Sequence, residues 1–497
     1  MREGRFARLA ALALTLVACA ARPAAVESQT TAASGDAASF GAAGNAAAHV
    51  LEDVLFDAAG TWRRCLPDAD CGEGNSDWGD DSLTYALAFR WRTTKDPSIP
   101  PLMAALAGTA VRYGPCSLPN CDQFSDRAAW DSVADSLEHE ITGNGDALQK
   151  AQAAFSLIAG SNAFGLGACP GIDYQLPSGD GNHLKTLETG ANYVLAAMLL
   201  YRETGTAAYL KAAVAKYAAI RKAFLDRAVP LYSVYVFDDG TSCTQVPHRF
   251  FASVNGDMIQ DGLLLAAATN DRIYRAQAIA TGKAVARYLS DAAGVYAGLQ
   301  AENDTEEPLV EAMYELATEQ HQSFARSWLL SAARAERSAR TPAGVYGRFF
   351  DGPPPQAPVT EWQFGGGHAL AFAAAALEPD GTPPAGAWSG ATYVNDDLSV
   401  LPATISIRGR AIALIGTIGE NCCESGHARV VIDGTETFDQ TGIWQNKSSS
   451  GKTLPHSVLF AWRWPTSGPH TIVLRPGVVN GKEGTSFLHL SGYEIVP

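Results

Sequence analysis

Asp80 and Asp81 stand side by side in NSDWGDDSLTYALAFRW, residues 75–91. Adjacent like charges beside a tryptophan have a chemical use. Cleaving a glycosidic bond with retention needs two carboxyl groups about 5 Å apart, one to attack the anomeric carbon and one to move the proton. Neighbours at a helix start diverge by about 100°, yet their side-chain ends reach such a separation. Repulsion between them would keep one carboxyl protonated while the other ionises. The competing reading is architectural. Aspartate is a good N-cap and acids suit the positive end of a helix, so Asp81 would cap the next helix with Asp80 its solvated neighbour.

Other polar residues are candidates for a surrounding cleft. Asp173, Tyr174, Asp180, Asn182 and His183 fall in a Gly-rich loop, where solvated loop residues are the competing reading. Asn255 and Asp257 open a helix, so capping competes with binding. Trp362 and Gln363 precede GGGHALAF, whose glycines permit close backbone approach or a hinge. Residues 67–77 (PDADCGEGNSD) are rich in acids and glycine but depart from the EF-hand spacing, so no metal is expected there. A hydrolase of this kind uses no cofactor. Tyr174, His183, His248 and Arg249 supply the residue types of the alternative chemistry, a polysaccharide lyase. A non-catalytic glycan-binding lipoprotein is the third reading.

The elements that must position these residues are helical from about 44 to 377. LETGANYVLAAMLLYRETG (187–205) runs into TAAYLKAAVAKYAAIRKAFLD (206–226), with Thr206 placed to cap the second helix. The same pairing recurs at 256–270 with 271–291 and at 307–318 with 319–337. About twelve helices in six hairpins fit, and long loops rich in Gly, Asp, Asn and Trp favour a closed ring, an (α/α)6 toroid, over an open array. A Pro/Gly linker follows at 378–390. Short alternating strands at 403–409, 411–416, 428–434, 456–462 and 470–477 then predict a β-sandwich over 391–497. Trp444, Trp462 and Trp464 offer flat faces for sugar rings, or core packing.

The chain has 497 residues and a net charge of -15, which argues against nucleic acid as a partner. Arg2, Arg5 and Arg8 precede the apolar run 9–18, too short to span a membrane but suited to a signal peptide over 1–19. The run ends in Leu-Val-Ala-Cys, resembling a bacterial lipobox with Cys19 as the lipidated residue. Residues 20–43 read as a flexible tether. An exported chain, extracellular or on the cell envelope and acting as a monomer, is expected. Its cysteines then read as disulfides, with the connectivity left open by the sequence: Cys65/Cys71 and Cys116/Cys121 are close enough to close small loops, which would leave Cys169 and Cys243 to pair across a longer one. Cys422 and Cys423 stay open.

WGDDSLTYALAFRWRTTKDP resembles the Trp-x-Asp-Asp segment and following helix of family 76 glycoside hydrolases. Residues 168–210 and VNGDMIQDGLLLAAATNDRIY (254–274) follow in the family's order, so the resemblance covers roughly 44–377. It implies an (α/α)6 toroid and a retaining enzyme cutting an α-mannan, in that family the α-1,6-linked backbone. It also implies Asp80 as nucleophile, Asp81 as acid/base and Trp78 as a site wall. The loops depart from the family: Pro-Gly-Ile-Asp-Tyr stands at 170–174 and Val-Asn-Gly-Asp at 254–257. The ARVVIDG, VLF and Gly-Pro-His-Thr-Ile stretches resemble the jelly-roll modules attached to secreted carbohydrate-active enzymes, which implies a carbohydrate-binding role for the second domain.

Overall fold

The computed structural model describes residues 39–54, 56, 63, 65–66, 77–109, 124–160, 164–177, 183–246, 249–298, 305–341, 344–347, 349–355, 359–381, 388–418, 426–436, 443–445, 454–479, 482–483 and 490–497. The expected signal, Cys19, Cys71, Cys116 and Cys121 lie outside them. Among the described residues no helix is long and apolar enough to cross a membrane.

Twelve α-helices are described: α1 (Phe40–His49), α2 (Asp77–Thr94), α3 (Ile99–Thr109), α4 (Ser125–Thr142), α5 (Gly145–Gly160), α6 (Leu187–Thr204), α7 (Ala207–Phe224), α8 (Ala252–Thr269), α9 (Arg272–Tyr288), α10 (Glu307–Thr318), α11 (Ser323–Glu336) and α12 (Glu361–Leu377). The even-numbered helices pack in order α2, α4, α6, α8, α10, α12, and α12 returns to α2, which closes the ring. The odd-numbered helices pack outside. The sequence separates the two layers. Residues 187–200 of α6 are buried without a break, as a helix surrounded on all sides requires, whereas α7 buries Ala213, Tyr217, Ile220 and Phe224 on one stripe. Gly205 takes a left-handed φ of 68° between them, where glycine carries no Cβ penalty. Thr206 holds the N-cap position of α7 without a side-chain cap bond, so the capping expected of it is not made.

Two domain boundaries shift. The helical body starts at Ser39, inside the expected tether, because the Ser39 hydroxyl accepts from Ala42 N at 3.2 Å and Phe40 is buried. The start of the expected linker is not loose either: Phe40 N donates to Gly381 O and Gly41 N to Pro379 O, each at 2.9 Å.

The second domain is one seven-stranded antiparallel sheet network with its own apolar core, including Ile405, Ile412, Val430, Phe460, Trp464 and Ile472. The expected strand pairs 403–409/411–416 and 456–462/470–477 are each continuous, as Ala403–Ile418 and Leu454–Pro476. Pro465 and Gly468 look like turn residues in sequence. They are instead absorbed in a bulge, since the register jumps from Arg463↔Ala411 to Gly468↔Gly409. The sheet docks on the helical body through Ala411, Ala413 and Ala461 against Phe349 and Trp388. Trp388, from the expected linker, donates Nε1 to Asp351 O at 2.8 Å.

Candidate active site

The inner helices run parallel, so their N-termini converge on one end of the ring. That end carries a concentration of buried acids: Asp80 and Asp81 of α2, Asp126 of α4, Glu188 of α6, and Glu306 and Glu307 at the start of α10, with Asp131 of α4 and Asp257 and Asp261 of α8 deeper along their helices. The positive helix ends favour the acids that stand in or just before a first turn, such as Glu188 and Glu307, by about 0.3–1 kcal/mol where they are ionised.

Asp80 and Asp81 lie inside the first turns of α2, which starts at Asp77, so neither is the N-cap. Asp80 is 2% exposed and Asp81 is fully buried. The Asp80 carbonyl accepts from Thr84 Oγ1 at 2.8 Å. Arg127, also fully buried, reaches Asp81 Oδ2 at 3.7 Å and Asp131 Oδ1 at 3.2 Å, tying α4 to the pair. Ser82 Oγ donates to Glu307 Oε1. One turn deeper, Tyr85 OH donates to Asn192 Oδ1 and Asn192 Nδ2 to Asp257 Oδ2, each at 3.1 Å, forming a chain across the ring. Burial, followed by the charges of Asp257, Glu311, Asp261 and Asp81, pushes the Tyr85 hydroxyl well up.

The glycines of GGGHALAF sit within α12 rather than at a hinge. A Cβ at Gly365 would collide with Glu307, one at Gly366 would lie 2.7 Å from Glu306 Oε2, and one at Gly367 would collide with Glu336. The three glycines therefore make room for three carboxyl groups. Burial pushes Glu336 well above the usual carboxylate range, helped by Glu306 and opposed by Arg340. Burial raises Asp126 to about 7 despite the backbone N–H groups of Asp126 and Arg127 and the Arg127 charge. Burial and the neighbouring Asp257 also raise Asp261. Carboxyls held protonated near neutral pH are present at this end of the ring.

Not every expected site residue belongs here. Asp173 is paired with Lys216 of the outer helix α7 at 2.7 Å, which turns it away from the ring. Tyr174 lies under the Lys185 ammonium, with its hydroxyl donating to Asp238 O at 3.3 Å; its contribution to the ring is its carbonyl, which accepts from Ser125 Oγ at 2.9 Å where α4 begins. Asn255 is consumed by structure: its amide bonds both N and O of Tyr232 and the Phe251 carbonyl. Asp257 does face the ring. His183 is exposed with a left-handed φ of 56°, and its ring meets the edge of Phe237. Asp180 and Asn182 lie outside the described residues, as do the side chains of Trp78, Trp362, Gln363 and Trp444.

The expected Cys169–Cys243 disulfide is formed, with Cα atoms 5.2 Å apart. It fastens the loop before α6 to a three-stranded sheet, Leu184–Thr186, Tyr235–Asp238 and Cys243–Gln245. Lys185 and Asp238 form a buried pair at 3.0 Å in the same sheet. Burial pushes the Asp238 carboxyl up, but the N–H groups of Ala168, Cys169 and Gly240 and the Lys185 ammonium outweigh it and hold it at about 2.

In the second domain Trp464 is buried, stacked on His470 with centroids 3.9 Å apart, and its Nε1 donates to Asp433 at 3.2 Å. Trp462 is half-buried and stacked on Phe460. Both alternate onto the apolar face of their strand, so they pack the domain core instead of presenting a ring to sugar.

No family model matches the sequence, and no curated protein matches it. The fold is shared with solved structures. One is an inactive variant of the family 76 α-1,6-mannanase of Salegentibacter sp. HEL1_6, with two adjacent aspartates replaced by alanine, in complex with α-1,6-mannotetrose. It is 18% identical, with 68% of this chain and 99% of that one covered and a TM-score of 0.58. The family 76 α-mannanase of Bacteroides thetaiotaomicron is 18% identical, covering 68% and 95%, with a TM-score of 0.55. Cellobiose 2-epimerase of Bacillus thermoamylovorans is 13% identical, covering 67% and 98%, with a TM-score of 0.51. At these identities the likeness is one of fold, and the fold carries both hydrolysis and epimerisation of sugars in those proteins.

Proposed function

We propose that the chain is a glycoside hydrolase acting on a mannan-type polysaccharide, with Asp80 and Asp81 as its catalytic pair. The observation that carries this is the position of two adjacent buried carboxyl groups inside the first turns of an inner helix, at the acid-rich end of an (α/α)6 ring. A structure of this fold inactivated at two adjacent aspartates and holding a mannan fragment supports the same reading.

In the proposed reaction the Asp80 carboxylate attacks the anomeric carbon while Asp81 gives its proton to the departing glycosidic oxygen. A glycosyl ester on Asp80 and a free sugar hydroxyl result. Asp81 then takes a proton from water, the water oxygen attacks the anomeric carbon, and Asp80 leaves as carboxylate, with net retention. Arg127 anchors Asp81 from α4, and Ser82 with Glu307 fixes the neighbouring turn. The acids around this end disfavour a polyuronate substrate, which weighs against the lyase reading. Export and a lipid anchor at Cys19 remain part of the proposal, resting on the N-terminal sequence alone.

The test is product analysis on yeast α-mannan, an α-1,6-mannan backbone and other neutral polysaccharides, with Asp80→Asn and Asp81→Asn beside wild type. Reducing ends released by wild type and lost in both folded variants are expected. Activity surviving both substitutions would sink the assignment. Azide restoring turnover with inverted product in Asp80→Gly, and with retained product in Asp81→Gly, would separate nucleophile from acid/base. An unsaturated ultraviolet-absorbing product would mean elimination, and binding without turnover would mean a binding protein.

A further inference from the structure

With Trp462 and Trp464 committed to packing, the sheet domain offers a different surface. Strand Thr392–Asn395 forms one end of the sheet, pairing with Leu490–Val496. Tyr393 and Asn395 share a face of it, being two residues apart. Beside them lies an open cavity of about 360 Å³ lined by Asn395, Asp397, Ser399, Thr417, Leu490 and Ser491. That is near the lower end of the ~300–1,000 Å³ span of ligand pockets. Its polar complement is an amide, a carboxylate and three hydroxyls, the groups that pair with the vicinal hydroxyls of a sugar.

The rim is apolar where a pyranose face would need it. The described residues hold four exposed large hydrophobic side chains, and two of them, Tyr393 (38% exposed) and Val400 (79% exposed), bracket this segment. Tyr393 is held in place: its hydroxyl donates to Ser491 O at 2.8 Å, and its ring meets His456 at 4.8 Å between centroids. Gly492 beneath it has no side chain, and a Cβ there would fall 2.8 Å from the Tyr393 hydroxyl. The ring is thus seated over the strand with surface left to solvent, as a sugar-stacking platform is. Asp397 is pre-shaped by accepting from Ser399 N at 3.1 Å.

We propose that this pocket, with Tyr393 as its platform and Asn395 and Asp397 as its polar anchors, is a binding site for a neutral glycan chain. The ligand class rests on the reading of the chain as glycan-active, and the experiment separates the two. Full-length protein is run through native gels containing yeast α-mannan, glucomannan or xylan, as Asp80→Asn to prevent turnover. Tyr393→Ala, Asn395→Ala and Asp397→Asn are then added singly, with the fold checked by circular dichroism. In the wild-type background the same three variants are assayed on soluble mannooligosaccharides. At least one polysaccharide retards the parent, Tyr393→Ala weakens retention ~5-fold or more, and oligosaccharide hydrolysis is unchanged. Retention unaltered in all three folded variants, or no retention by any of the three polysaccharides, overturns the site. Pocket-dependent retention without hydrolysis by wild type upholds the site and overturns the hydrolase reading; hydrolysis without pocket-dependent retention does the reverse.

Discussion

If the glycines of α12 exist to admit carboxyl groups, Gly366→Ala must destabilise a helix that alanine should otherwise strengthen. Alanine is favoured over glycine in a helix interior by about 1 kcal/mol. At Gly366 the new Cβ would stand 2.7 Å from Glu306 Cβ, an atom fixed by its backbone, and 2.7 Å from Glu306 Oε2. Relief requires a backbone shift between α12 and the start of α10, at the upper end of the ~1–3 kcal/mol typical of overpacking. The net loss is about 2 kcal/mol. An unfolding entropy of ~2.1 cal/mol/K per residue over roughly 300 residues gives ~0.6 kcal/mol/K, so the melting temperature should fall by about 3 °C. Gly108→Ala in α3 is the control, because nothing lies within 4 Å of its added Cβ; it should raise the melting temperature by about 1–2 °C. Scanning calorimetry of both variants decides. A rise for Gly366→Ala comparable to Gly108→Ala would refute the claim that the glycine run answers to Glu306, Glu307 and Glu336.

Stability should also depend on pH in an unusual direction. Asp126 (about 7), Asp291 (about 6) and Glu315 (about 8) all titrate above their ordinary values, chiefly through burial. The native state therefore holds more protons than the unfolded chain between about pH 4 and 8, and stability falls as pH rises through that window; a melting temperature equal or higher at pH 8 than at pH 5 would contradict this. Removing the guanidinium in Arg127→Met leaves Asp81 and Asp131 without it, for an expected loss of about 3–5 kcal/mol, readable by urea denaturation; a loss under 1 kcal/mol would show that Arg127 does not bind the two helices. Cys169→Ser with Cys243→Ser opens a bridge spanning 74 residues in sequence, worth about 4 kcal/mol in chain entropy; melting insensitive to the double substitution would exclude a stabilising role.

The helices were legible because their layers differ chemically. LETGANYVLAAMLL has no polar face and Ala207–Phe224 has one, so the alternation of inner and outer helices is written in the residues. The acid pair was legible because Asp80 and Asp81 are neighbours in sequence. The rest of the site was not, because Asp126, Arg127, Glu188, Glu306, Glu307 and Glu336 come together only when the ring closes. For Asp126, Glu188, Glu306 and Glu307 the one sequence signal is an acid in or just before the first turn of an inner helix, which reads equally well as dipole compensation, and Arg127 and Glu336 carry no such signal. Asn255 misled for a related reason: its amide suits either a ligand or a backbone, and only the approach of Tyr232 decides. The tryptophans misled because strand alternation places Phe460, Trp462 and Trp464 on one face, and a run of large aromatics at that period is a core signature.

The docking of the sheet domain has a mechanical meaning. Trp388 is fixed to Asp351 O, Ala461 packs near Gly352, and Arg463 acts electrostatically on Asp291 and Asp351 of the helical body. A module on a flexible tether searches a volume, and the local concentration it offers its partner falls as the tether lengthens. Here the tether has been replaced by a seam. Any chain gripped by both domains would be held at one fixed spacing, so the protein would act as a ruler along its polymer, with a minimum chain length below which the second grip adds nothing.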